Sequence, residues 1–207
     1  MGRMMLAALF ALTVPASVAS TGLAPDALAR SVTDEVLAIV RADKELQAGN
    51  PQKVAQLVEA KVLPHFNFAR MAQLAVGRNW RQASPEQQKT LTEEFKTLLV
   101  RTYATAFAQY RNQTVDYRPV RMTANDTDVV VKSLIRQAAG QPIAVDYSME
   151  RVDGTWKVYD VKIEGISLVE IYRNTFNGEV QRGGIEVLIR TLGDKNKALA
   201  AQWARRS

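Results

Sequence analysis

The 207-residue chain contains no cysteine, which removes disulfide frameworks, thiol nucleophiles and thiolate metal sites together. Histidine is nearly as scarce. His65 is the only one, so any imidazole mechanism would rest on one residue between Pro64 and Phe66 at a helix boundary. A histidine placed there ordinarily packs or caps. One histidine among scattered carboxylates gives no metal-ligand spacing. Asp126 and Asp128 flank a turn, and Glu93-Glu94 falls on an outward helical face. The chain has no glycine loop of the phosphate-cradling kind, and Gly183-Gly184 reads as a turn or a close helix contact. Internal repeats and low-complexity tracts are absent too. These absences leave no convincing catalytic set, and neither a metal nor a cofactor is expected.

What is present begins with a leader. Met1-Gly2-Arg3 is a short positive start, and Leu6 to Val18 is an apolar run interrupted by Pro15. Ser17-Val18-Ala19 then sets small residues where a signal peptidase reads. Residues 1–19 are therefore expected to be a cleaved signal peptide, and the exported chain to begin near Ser20 in the periplasm. No later segment has the length of a membrane span. The net charge is +6 and Arg3 is the leader's only charged side chain, so the exported protein stays basic and suited to anionic surfaces or acidic partners. Its basic residues are interspersed with acids and form no recognised nucleic-acid motif, so no nucleic-acid partner is expected.

Apolar residues make up 47% of the chain, and their periodicity changes half-way along. Leu28, Val32, Val36, Ile39 and Val40 form one helical stripe. Asn50-Pro51 caps a second helix carrying Val54, Leu57, Val58 and Val62. A short third helix presents Phe68, Met71 and Ala75 and ends at Gly77. Ser84-Pro85-Glu86-Gln87 is a capping box with an N1 proline. Behind it runs the longest stripe, from Leu91 through Phe95, Leu98, Leu99, Tyr103 and Phe107 to Tyr110. Strand periodicity follows in 114–120, 127–135, 142–152 and 155–163, the last two joined by the Asp153-Gly154 hairpin turn. That turn pairs Met149 with Val158 and Arg151 with Trp156. Gly165 then leads the chain from the sheet into a helix capped by Ser167, with Val169, Tyr172 and Phe176 on its inner face. A final helix stops at Gly193.

Helices followed by antiparallel strands and more helices indicate an α+β domain over residues 20–193, with a twisted sheet of about four strands wrapped by helices. Residues 194–207, charged and weakly patterned, read as a flexible tail. The apolar supply is generous for one core. Leu98, Leu99, Tyr103 and Phe107 come from the long helix, and Val145, Tyr147, Met149 and Val158 from the sheet. Val169, Tyr172 and Phe176 come from the capped helix. Each alone is ordinary core, but together they can wall an apolar pocket.

Four segments also resemble the MlaC family, the toluene-tolerance proteins: "LPHFNFARMAQLAVGRNW", "SPEQQKTLTEEFKTLLVRTYA", "VDYSMERVDGTWKVYDVKIEGISLVEIYRNTF" and "GGIEVLIRTL". The resemblance spans Asp34 to Leu192 in order, and "WKVYDVKIEGISLVEIYR" is its most specific part. It departs at Asn67, where the family more often has aspartate. The resemblance implies an NTF2-like fold and a periplasmic phospholipid carrier between outer and inner membranes, with the acyl tails in the pocket. The implied partners are an outer-membrane lipoprotein complex and an inner-membrane ABC transporter with an MCE-domain subunit. Two other readings stay open on the residues alone. One is an exported NTF2-like enzyme using His65 or a buried aspartate, and the other is a peptide- or protein-binding module using the same groove.

Overall fold

Asn50 and Ser84 both cap helices as their sequence contexts require. The Asn50 side chain accepts from the backbone N–H groups of Gln52 and Lys53. Ser84 and Gln87 close a reciprocal box, with Gln87 N–H donating to Ser84 Oγ at 3.2 Å and Ser84 N–H to Gln87 Oε1 at 2.8 Å. These caps start α3 (Pro51–Lys61) and α5 (Pro85–Ala108). Ahead of them lie α1 (Pro25–Ala42) and the short α2 (Lys44–Gln47), and between them α4 (Phe68–Val76) ends at Gly77, whose φ is 63°. The structure is a computed structural model that describes residues 22–108, 113–137 and 140–205, with the side chains of 105–108 excluded. The expected leader, Phe107's side chain and Tyr110 lie outside what is described.

The second half is one antiparallel sheet in the order β1-β2-β3-β4-β5. Its strands are β1 (Thr114–Tyr117), β2 (Asp128–Arg136), β3 (Ile143–Val152), β4 (Thr155–Ile163) and β5 (Ile166–Ser167). Five strands stand where about four were expected, because β5 is too short to leave an alternation in the sequence. Met149 pairs with Val158 and Arg151 with Trp156, as the hairpin turn requires, and a bulge then shifts the register between Ser148 and Met149. The bulge re-phases β4. Val158 lies an odd number of residues from Val161 and Ile163, yet all three reach the same side of the sheet.

α6 (Leu168–Ala204) begins at Ser167, whose Oγ accepts from Glu170 N–H. It bends at Gly183 and Gly184, and a side chain at Gly183 would come within 2.5 Å of Val187. Residues 194–204, expected to be a loose tail, are instead its closing turns. Asn196 is buried and donates to the Glu94 backbone carbonyl at 2.9 Å, and Arg101 donates to the Asn196 carbonyl at 2.7 Å. Leu199 and Trp203 pack against the core. The charges that suggested a tail occupy the outer face of an amphipathic helix.

The core is divided. Helices α4, α5 and α6 pack around Phe95, whose ring meets Tyr172 at 5.0 Å and Phe176 at 5.2 Å, both edge-on. A second cluster joins α1 and α3 to α5 through Val36, Val40, Val54 and Val58. A third covers the sheet with Tyr117, Val131, Met149, Trp156 and Val158. Space remains where these clusters do not close on one another.

Candidate functional site: an apolar cavity in two lobes

The first lobe, about 140 Å³, lies between α1 and the sheet. Leu28, Val32 and Val36 of α1 roof it, Tyr117, Met149 and Val158 floor it, and His65 stands at one side. The second, about 250 Å³, opens between the sheet and helices α3 to α5. Met71, Leu99 and Tyr103 face Val145, Val161 and Ile163 across it. Val62, Phe66, Ile135 and Tyr147 line both lobes, so these four side chains form the partition.

The partition is held by backbone. Phe66 bridges β4 at Val158, and Asn67 N–H donates to the Val158 carbonyl at 2.8 Å. Phe66 stacks on Phe68 at 5.6 Å, and Tyr147 lies over Tyr117 at 6.4 Å. Asn67 Oδ1 caps α4 while its amide donates to Glu150 at 2.8 Å. Here the departure from aspartate has a chemical content, since an aspartate cannot donate to that carboxylate. Arg70 completes the cluster: it pairs with Glu150 and with Asp128 at 2.9 Å and lies 3.6 Å over the Tyr159 ring. A short polar seam therefore fixes the outer face of α4 to the sheet while its inner face lines apolar space.

Chemistry inside the cavity is sparse. His65 is half-buried. Burial pushes its imidazole below the ordinary value, Lys157 adds to that, and Glu35 opposes it. The histidine therefore stands neutral at pH 7 without a carboxylate hydrogen bond to orient it as a base. Outside the cavity, in the packed cluster around Phe95, burial pushes the Tyr172 phenol far up, with Tyr103 reinforcing the shift. Among the described residues no group of three or more acidic or histidine side chains could hold a metal ion, and no helix is long and apolar enough to cross a membrane. The arrangement can sequester hydrocarbon, because burial in an apolar space recovers about 25 cal/mol per Å² of apolar surface taken from water.

A family model described as MlaC protein matches residues 30–194. The chain belongs to the MlaC family. Among solved structures it resembles the phospholipid-binding protein from Ralstonia solanacearum, determined in complex with a phospholipid. The TM-score is 0.80 at 46% identity, covering 86% of this chain and 99% of that one. Among curated relatives it is 29% identical to the toluene tolerance protein ttg2D of Pseudomonas putida, over 87% of this chain and 81% of the relative. It is 24% identical to the intermembrane phospholipid transport system binding protein MlaC of Haemophilus influenzae, over 80% and 78%.

Within this MlaC-family fold the residues expected to form the pocket divide into two groups. Leu99, Tyr103, Val145, Tyr147, Met149 and Val158 line the lobes. Leu98, Val169, Tyr172 and Phe176 do not; they pack into the cluster around Phe95, which fills the space they were expected to leave open. The α1 roof, together with Val62, Phe66 and Ile135, was missed. The α1 stripe was visible in the sequence, but a stripe facing a cavity and a stripe facing solid core have the same period.

Proposed function

We propose that this protein is an exported, periplasmic phospholipid carrier that moves lipid between outer and inner membranes for an Mla-type ABC transport system. The acyl tails occupy the two-lobed cavity. Its partners are an outer-membrane lipoprotein complex and an inner-membrane transporter with an MCE-domain subunit. One observation carries the reading: an apolar space partitioned by Phe66 and Tyr147 and walled by helices and sheet, in a chain of the MlaC family. The names of its relatives, one of them solved with a phospholipid, support it further.

The physics of a carrier agrees with this chemistry. Two acyl tails hold about 30 methylenes, each worth about 0.8 kcal/mol on leaving water. The gross term, about 20 kcal/mol, makes release into water too slow for transport. A carrier needs apolar walls and a docked acceptor, and no catalyst. Native mass spectrometry of the protein purified from the periplasm, followed by lipid extraction, tests the reading. The expected result is a phospholipid-mass adduct on a chain starting near Ser20. A protein that stays lipid-free after exposure to phospholipid vesicles would overturn it.

A further inference from the structure

α4 has two working faces. Met71 and Phe68 face the cavity, while Arg70, Gln73 and Leu74 line a separate cleft of about 800 Å³ on the outside of the fold. The 3₁₀ turn Gly77–Gln82 adds Arg78, Trp80 and Arg81, and α6 adds Arg173 and Asn177. Four arginines thus meet one carboxylate, Glu150, and that carboxylate is already occupied by Arg70. Arg78 and Arg81 are exposed and form no ion pair among the described residues. Arg173 is partly buried, and its Nε donates to the Leu74 backbone carbonyl at 2.9 Å. That bond holds the guanidinium in place without neutralising it.

From this we infer that the cleft is a docking site for an acidic protein segment, whose carboxylates pair with Arg78, Arg81 and Arg173. Guanidinium groups suit carboxylates because their forked donors can bind both oxygens together. A concave space whose unpaired charges are all cationic also focuses the field and speeds encounter with an anionic partner. Concavity favours a protein chain over a membrane, since a flat headgroup layer meets the rim of a groove and an extended segment can lie along its floor. Trp80 gives that floor an apolar surface for the segment's carbon atoms, and the Gln73 and Asn177 amides give neutral donors. Asn79 donates to Asn177 Oδ1 at 3.0 Å, which leaves the Asn177 amide N–H groups directed elsewhere. The site is distinct from the apolar cavity, and the inference stands whether or not that cavity carries lipid.

Fluorescence anisotropy with a labelled oligoglutamate peptide at low salt tests it. The variants are R78E/R81E, the milder R78Q/R81Q, and R118E/R121E, which makes the same charge change in the segment between β1 and β2. The peptide should bind wild type and R118E/R121E within about twofold of each other, weaken about tenfold or more in R78E/R81E, and fall in between for R78Q/R81Q. Equal losses in the two charge-reversed variants would reduce the effect to net charge and overturn the site. So would undiminished binding by R78E/R81E. Cosedimentation with phosphatidylglycerol vesicles makes the remaining distinction: if the cleft variants lose vesicle binding and keep the peptide, the surface serves a membrane and the proposal fails.

Discussion

Leu98 and Met149 are each 1% exposed, yet a carboxylate should have opposite consequences at the two sites. Leu98 is surrounded by the packed cluster of α4, α5 and α6. Leu98→Glu removes a buried aliphatic side chain, a loss of about 2–5 kcal/mol. It also strands a carboxyl without a partner, which adds about 1–3 kcal/mol even when the group stays neutral. The sum reaches the lower part of the roughly 5–15 kcal/mol that holds a domain together, so Leu98→Glu should fail to accumulate as folded protein. Met149 borders the first lobe. A glutamate there can turn into existing space and be reached by water, so the packing loss shrinks and only the polar cost, about 1–3 kcal/mol, remains.

Met149→Glu should therefore keep its far-UV circular dichroism, melt at a lower temperature and lose co-purifying phospholipid. Its pH dependence supplies a further check. Burial raises the new carboxyl above its ordinary value of about 4.3. The folded state then binds more protons than the unfolded one, so stability is greatest below that ordinary value and falls as pH rises through the raised one. Thermal melts from pH 4 to pH 8 in parallel with lipid extraction read both effects. A folded Met149→Glu protein that still carries its lipid would refute the placement of the tails against β3. Unfolding as complete as that of Leu98→Glu would make Met149 solid core.

Three further changes test other parts of the structure. His65 is held below its ordinary value chiefly by burial, so stability should fall as pH drops from about 6.5 toward its depressed folded value; His65→Gln should flatten that limb of a pH-stability curve and leave lipid binding within a few-fold. Asn196→Ala removes the amide that donates to Glu94 and should lower the stability measured by urea denaturation by about 1–3 kcal/mol, whereas a detached tail would show no change. Asp160 is buried and accepts from Ser167 Oγ at 2.7 Å and from Val169 N–H at 3.2 Å; Asp160→Ala should lower the melting temperature through a loss of about 1.5–3 kcal/mol and loosen the start of α6 in hydrogen exchange.

Elements whose signals are local were legible in the sequence. Asn50-Pro51, the Ser84 box, Gly77 and the Asp153-Gly154 turn each specify a boundary within a few residues, and each boundary stands in the fold. The hairpin register was readable because a two-residue turn leaves one pairing. What lay outside sequence reasoning depends on distant packing. β5 is two residues long, and it exists because β4 offers an edge beside it. Residues 194–204 seemed unattached because the surface that holds them belongs to α5, about a hundred positions earlier. The cavity was legible in kind but only partly in location. Tyr172 and Phe176 had the right chemistry for a pocket wall, but Phe95 reaches them first.

The bend at Gly183-Gly184 lets one helix meet α5 twice. On one side of it, Tyr172 and Phe176 close on Phe95; beyond it, Asn196 closes on Glu94, the preceding residue of α5. Two arms of one helix thus meet adjacent positions on another from either side of the bend. α1 is held separately, by the Val36 and Val40 contacts with α3 and α5 and by polar ties from Thr33 to the Tyr117 hydroxyl, Arg30 to the Tyr117 carbonyl, Arg41 to the Gln113 carbonyl and Lys61 to Glu35. The first lobe lies under α1, so its roof is a wall that the two contacts between α6 and α5 do not reach.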